Sequence, residues 1–182
     1  PAAGLTAARL ADVGGSADGG LRAALGAATL VTVTIGANDF DSSLANGRCG
    51  GPQNLDCYAT SLTGLTDVVH TLLARVRSLA PGAEIVVTGY WNVFLGGDVG
   101  RQEGPTYVQV SDALTRRVNA ILAEQAKAVH TAYADLFAPF RGDGDLDDTL
   151  LLAPDGDHPN VTGHRLIATA VERAASWRSG GG

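Results

Sequence analysis

Two short runs rich in β-branched residues, each cut off by a glycine, constrain this chain more than any other feature. Leu30 to Ile35 reads LVTVTI and stops at Gly36; Glu84 to Thr88 reads EIVVT and stops at Gly89. Runs of this kind suit strands buried on both faces of a parallel sheet. Between and after them lie helical patterns. From Thr60 to Leu79 the apolar positions Leu62, Leu65, Val69, Leu72, Val76 and Leu79 recur every three or four residues, and Pro81-Gly82 then turns the chain. A second helix is expected from Ser111 to Ala126 on Leu114, Val118, Ile121 and Leu122. A short strand follows over Val129 to Ala134, and a last helix over Gly163 to Ser176 with Thr162 as its N-cap. This order of elements predicts α/β layering around a parallel sheet, whose ligands sit beyond the carboxyl ends of the strands.

The chain has 182 residues, enough for one domain that buries about 70% of its extended surface without a metal or disulfide staple. We assign that domain to residues 1–178 and read residues 179–182 as a flexible tail. The net charge of −6 argues against a nucleic-acid partner or an anionic membrane surface. No apolar run approaches the roughly 20 residues of a membrane span. No glycine-rich phosphate loop is present, so a nucleotide cofactor is not expected. The chain begins at Pro1 and holds no methionine, which suggests that sequence precedes it.

Cys49 and Cys57, eight apart around a Gly/Asn/Pro-rich stretch, have no histidine near them in sequence to complete a zinc site. We expect a disulfide closing a small loop, and with it an oxidising, extracellular or otherwise extracytoplasmic location. The alternative is a pair of free thiols in a cytosolic loop.

Two segments after strands carry the chemistry. In Asp155-Gly156-Asp157-His158-Pro159-Asn160, a carboxylate three residues before a histidine can reach the imidazole Nδ1–H. That bond leaves Nε2 as a general base and stabilises the imidazolium that forms. Pro159 biases His158 away from α geometry. Asp157 adjoins His158, and adjacent side chains diverge in an extended segment, so Asp155 is the better orienter. The plain alternative is a helix-entry loop with a solvated acidic pair. In Gly36-Ala37-Asn38-Asp39, Asn38 can aim its amide at a developing oxyanion. The plain alternative is an ordinary turn.

Taken together and in this order, these segments resemble the SGNH (GDSL-type) hydrolases. Gly36, Asn38 and Asp39 match that family's strand followed by G-x-N-D, and Asp155 and His158 match its D-x-x-H near the C-terminus. Gly4 and the residues to Leu10 (GLTAARL) resemble the block that contributes a glycine at the opening of a helix. The resemblance implies a flavodoxin-like three-layer α/β/α fold that hydrolyses esters without metal or cofactor. It makes His158 the general base, Asp155 its orienter, and the Gly4 backbone N–H and Asn38 amide the oxyanion donors. Asp39 is expected to shape its loop, and Tyr90 and Trp91 to line an acyl or alcohol pocket or pack in the core.

The departure is the nucleophile. None of the eight serines stands in a Gly-Asp-Ser context after a strand; Ser16 in Gly14-Gly15-Ser16 comes nearest. The expectation is therefore a member whose first strand, most of its second strand and its nucleophilic serine lie upstream of Pro1. On that expectation the chain alone is inactive, and Leu30 to Ile35 is a sheet edge that invites self-association. The substrate class is a small-molecule ester or acylated compound. Rival readings are a non-catalytic relative that binds a ligand, and a two-chain enzyme with the serine on a separate polypeptide.

Asp143, Asp145 and Asp147 alternate like the start of a calcium loop. Asp148 replaces the turn glycine and Pro154 the closing carboxylate, so a solvated loop is expected and no metal site. His70 and His130 read as surface or packing residues, and His164 as opening the last helix.

Overall fold

The two β-branched runs pair with each other. In a computed structural model, which describes residues 6–7, 19–40, 51–93, 102–144 and 147–179 (side chains to 175), they form strands β1 (Leu30–Val33) and β2 (Glu84–Thr88). They lie parallel in the register Leu30↔Glu84 to Val33↔Val87. β3 (Ala132–Ala134) adds to the far side of β2, again parallel, from Val86↔Ala132 to Thr88↔Ala134. Among the described residues the sheet order is β1-β2-β3, so β2 is central.

The helices are α1 (Gly19–Ala27), α2 (Ala59–Leu79), α3 (Pro105–Ala128), the short α4 (Phe137–Arg141) and α5 (Val161–Ser179). Side chains of β2 alternate between two helical layers, as a pleated strand requires. Ile85 and Val87 enter a core built with Leu65, Val69 and Leu73 of α2 and Leu114, Val118 and Leu122 of α3. Val86 faces the other way, onto Val171 and Ile167 of α5. The architecture is thus three-layer α/β/α. Each fully buried Leu or Ile adds about 1.5–3 kcal/mol relative to exposure, and both layers close on one five-residue strand.

Four expectations need correction. β1 is not buried on both faces: Leu30 is 45% exposed, Thr32 is exposed, and only Val33 of its four residues is buried. The reason is coverage, since α5 packs on β2 and β3 and leaves the outer face of β1 open. The third strand is shorter than Val129 to Ala134, because α3 runs on to Ala128 and His130 turns the chain at φ 55°. α3 itself begins six residues before Ser111, at Pro105, whose missing N–H costs nothing in the first turn. The N-cap of α5 is Asn160, not Thr162: its Oδ1 accepts the N–H groups of Thr162 at 2.8 Å and Gly163 at 3.1 Å.

Candidate active site

The loop between the short helical turn at Thr149–Leu151 and α5 carries His158. A backbone bridge between Leu152 and Pro159 closes it, helped by the Ala153 N–H donating to the His158 carbonyl at 2.7 Å. Gly156, at φ 71°, makes the reversal. Inside this loop Asp155 acts on three donors. Its Oδ1 accepts the backbone N–H groups of Asp157 and His158, each at 3.0 Å, and its Oδ2 lies 2.8 Å from His158 Nδ1. Asp157 Oδ2 stands 3.9 Å from the same nitrogen, beyond hydrogen-bond reach. The backbone donors, more than the imidazole, pull the Asp155 carboxyl down to about 2. The bond from Asp155, then the charge of Asp157, raises His158 above its ordinary value. Burial raises Asp157.

Asn38 stands after β1 in a single helical turn, Ala37–Asp39, entered through Gly36 at φ 123°. A side chain at position 36 would be strained there and would crowd Leu65. Asp39 braces its turn: its Oδ2 accepts the Ala7 N–H at 3.0 Å, tying the turn to the N-terminal segment. Partial burial raises the Asp39 carboxyl, and the Ala7 bond works against that rise.

Asn38 and His158 line one cleft of about 690 Å³, together with Tyr90, Trp91, Thr34 and Thr88. It lies at the carboxyl ends of β1 and β2, where a parallel sheet presents its ligands. The hydroxyls of Thr34 and Thr88 bond to each other at 2.7 Å. Among the described lining residues no serine is present. His164, in the first turn of α5, adds to the rim. Gly4 and Cys49 lie outside the described residues. Cys57 is not a free thiol.

A model of the GDSL-like lipase/acylhydrolase family matches residues 3–166. The chain belongs to that family. Solved structures place this GDSL-like member among bacterial lipase folds. Phospholipase A1 from Streptomyces albidoflavus NA297 superposes with a TM-score of 0.62 at 23% identity, over 94% of this chain and 77% of that one. The extracellular lipase of Streptomyces rimosus superposes with a TM-score of 0.56 at 23% identity, over 82% of this chain and 70% of that one. At such identities the likeness carries the fold. A search of the curated proteins finds no match.

The structure also brings forward residues that sequence reasoning missed. Asn119 of α3 is buried and clamps the backbone of Tyr90, accepting its N–H and donating to its carbonyl, both at 2.8 Å. Asp147, expected in a solvated loop, is buried: its Oδ2 accepts the Asn92 N–H at 2.8 Å and its other oxygen faces Arg141. Burial raises its carboxyl, against the Asn92 bond and the Arg141 charge. Arg141 reaches on to Asp112, and its guanidinium lies 4.0 Å over the Phe137 ring. A polar residue set among the apolar positions of a helix is the one sequence signal for Asn119, without its partner; nothing local in sequence separates Asp147 from its acidic neighbours. Among the described residues no three metal-ligating side chains come together. Nor is any helix there long and apolar enough to cross a membrane.

Proposed function

We propose that this GDSL-like protein hydrolyses carboxylic esters through a Ser-His-Asp arrangement in which the chain supplies everything but the serine. The observation that carries the reading is that His158, held by Asp155, lines the same cleft as Asn38. Asp155 Oδ2 holds the Nδ1 proton, so Nε2 is left basic to take a proton from an attacking hydroxyl and return it to the leaving alcohol. The carbonyl oxygen, negative in the tetrahedral intermediate, is received by the Asn38 amide and the Gly4 N–H. The nucleophilic serine, in this reading, belongs to a segment preceding Pro1, since no serine of the chain stands in a Gly-Asp-Ser context. Tyr90 and Trp91, both buried, stand between His158 and Asn38 in the lining of this cleft.

The same reading places the protein outside the cytoplasm, with Cys49 and Cys57 joined. Cys57 being no free thiol supports the bond. A thiol count near zero in protein purified without reductant is expected; two titratable thiols would overturn both statements.

The test of the activity uses p-nitrophenyl acetate and butyrate. The chain alone should show no more than trace turnover. An N-terminal extension encoding a strand that ends in Gly-Asp-Ser should restore turnover, and His158→Ala in that protein should abolish it. An acyl adduct found by mass spectrometry on one of the chain's own serines would overturn the upstream nucleophile. An extended, folded protein without turnover would overturn ester hydrolysis.

A further inference from the structure

The segment following β2 touches both sides of the cleft. The Ala37 N–H, at the start of the turn that carries Asn38, donates to the Tyr90 hydroxyl at 3.4 Å. The indole N–H of Trp91 donates at 2.7 Å to the carbonyl of Asp157, the peptide that leads into His158. Two adjacent residues thus reach in opposite directions to the two loops. The segment between those bonds is itself held. Asn119 clamps Tyr90 at its backbone N–H and carbonyl, each at 2.8 Å, and Asp147 accepts the Asn92 N–H, two residues on, at 2.8 Å. Trp91 is stacked on Phe140 with ring centroids 4.8 Å apart.

The His158 turn needs such a tie. The bonds from Asp155 close within four residues, so they orient the imidazole within its loop without fixing where that loop sits against the sheet. Asn38 comes from the opposite side of the cleft, on the end of β1. Its separation from His158 is a distance between two loops, and catalysis is sensitive to about 1 Å in such distances.

We propose that Tyr90 and Trp91 are positioning residues that together set the spacing between the Asn38 amide and the His158 imidazole. Each ties one loop to the clamped end of β2. The consequence for turnover rests on the ester-hydrolase reading; the ties themselves do not. A wall of the substrate pocket is the competing role for both side chains, and it makes different predictions.

The experiment is amide hydrogen exchange by ¹⁵N NMR on the full chain. Trp91 is replaced by 3-benzothienylalanine, which keeps the fused rings and removes only the N–H, and Tyr90→Phe removes only the hydroxyl. Losing the short Trp91 bond should speed exchange at Asp157 and His158 about five- to tenfold. Exchange at Ala37 to Asp39 should not move. Tyr90→Phe should do the reverse and by less, about two- to threefold, because its bond is long. Val86 and Val87 report an intact sheet in both variants. In the extended, hydrolysing protein each variant should lower kcat at unchanged KM. The His158 titration midpoint should stay put, since Asp155 sets it locally. Exchange unchanged in both loops, or raised alike in both, overturns the proposal. So does a shift in KM or acyl-chain preference at constant kcat. Absence of turnover in the extended parent would count against ester hydrolysis alone, and the exchange pattern would still decide the ties.

Discussion

Asp155 holds His158 at both ends, one carboxylate oxygen on its backbone N–H at 3.0 Å and the other 2.8 Å from Nδ1. The histidine is oriented by a residue of its own turn, out in solvent, with side-chain exposures of 76% for His158 and 52% for Asp155. Screening at such exposure makes the pair a weak contributor to stability. Its worth lies in the tautomer it selects.

The pairing has a pH window. Asp155 titrates in the folded protein at about 2, below the ordinary 3.8, so its contribution is present above 3.8 and lost as pH falls toward 2. His158 titrates above its ordinary 6.5, so its contribution is present below 6.5 and lost as pH rises through the raised value. Hydrolysis needs the neutral imidazole and should therefore climb with pH on the alkaline side of 6.5. Asp155→Asn should lower the His158 midpoint, read by NMR titration of the imidazole in the chain as it stands. A midpoint unmoved by that substitution would deny Asp155 its hold.

Asn38→Ala, made in the extended hydrolysing protein, should cost about 10²–10³ in kcat. Urea unfolding should be nearly unchanged, because Asn38 is exposed on its turn. Gly36→Ala should instead lower stability, through the strain at φ 123° and the contact with Leu65.

Asn160 and Thr162 separate a true helix cap from an apparent one. Asn160→Ala should cost about 1–2 kcal/mol of unfolding free energy, since it leaves two N–H groups of α5 without their acceptor. It also frees the carbonyls of Leu150 and Leu152, which the Asn160 amide binds at 2.8 and 3.0 Å. Thr162→Ala should change stability by less than about 0.5 kcal/mol. Equal losses in the two variants would refute the assignment.

β1 should make the chain self-associate. Its outer face exposes Leu30 and Thr32, and among the described residues it has a strand on one side only. It carries no charge or proline to repel a second strand. Light scattering should rise with concentration, and Thr32→Lys should suppress that rise. A parent chain that stays monomeric and unfolds cooperatively would mean the edge is covered.

Much of this was legible beforehand, and the divide has a physical basis. β2 was readable because β-branched residues packed on both faces leave an unbroken apolar run, and Gly89 marked its end. His158 and Asp155 were readable because their geometry closes within one turn, so spacing alone implies contact. Long-range partnerships were hidden. Nothing near Asn119 says that it will meet Tyr90, 29 residues away, or that Asp147 will bury itself against Asn92 while Asp143 does not. The β1 error came from treating composition as burial: Val and Thr favour strands whether or not a helix covers them. Two polar residues compete at the head of α5, and Thr162 loses because it already stands inside the first turn, its own N–H among those that Asn160 caps.

Gly89 closes the account of β2. A side chain there would run into the Tyr133 hydroxyl and press on Asn119, the residue that clamps Tyr90, so any larger residue must displace both. Thr34 and His164, exposed at the mouth of the same cleft, face no such limit. Under directed evolution toward a new ester, position 89 should return glycine from every round while 34 and 164 drift. The backbone that leads into this cleft is inherited, and the side chains that line it are open to selection.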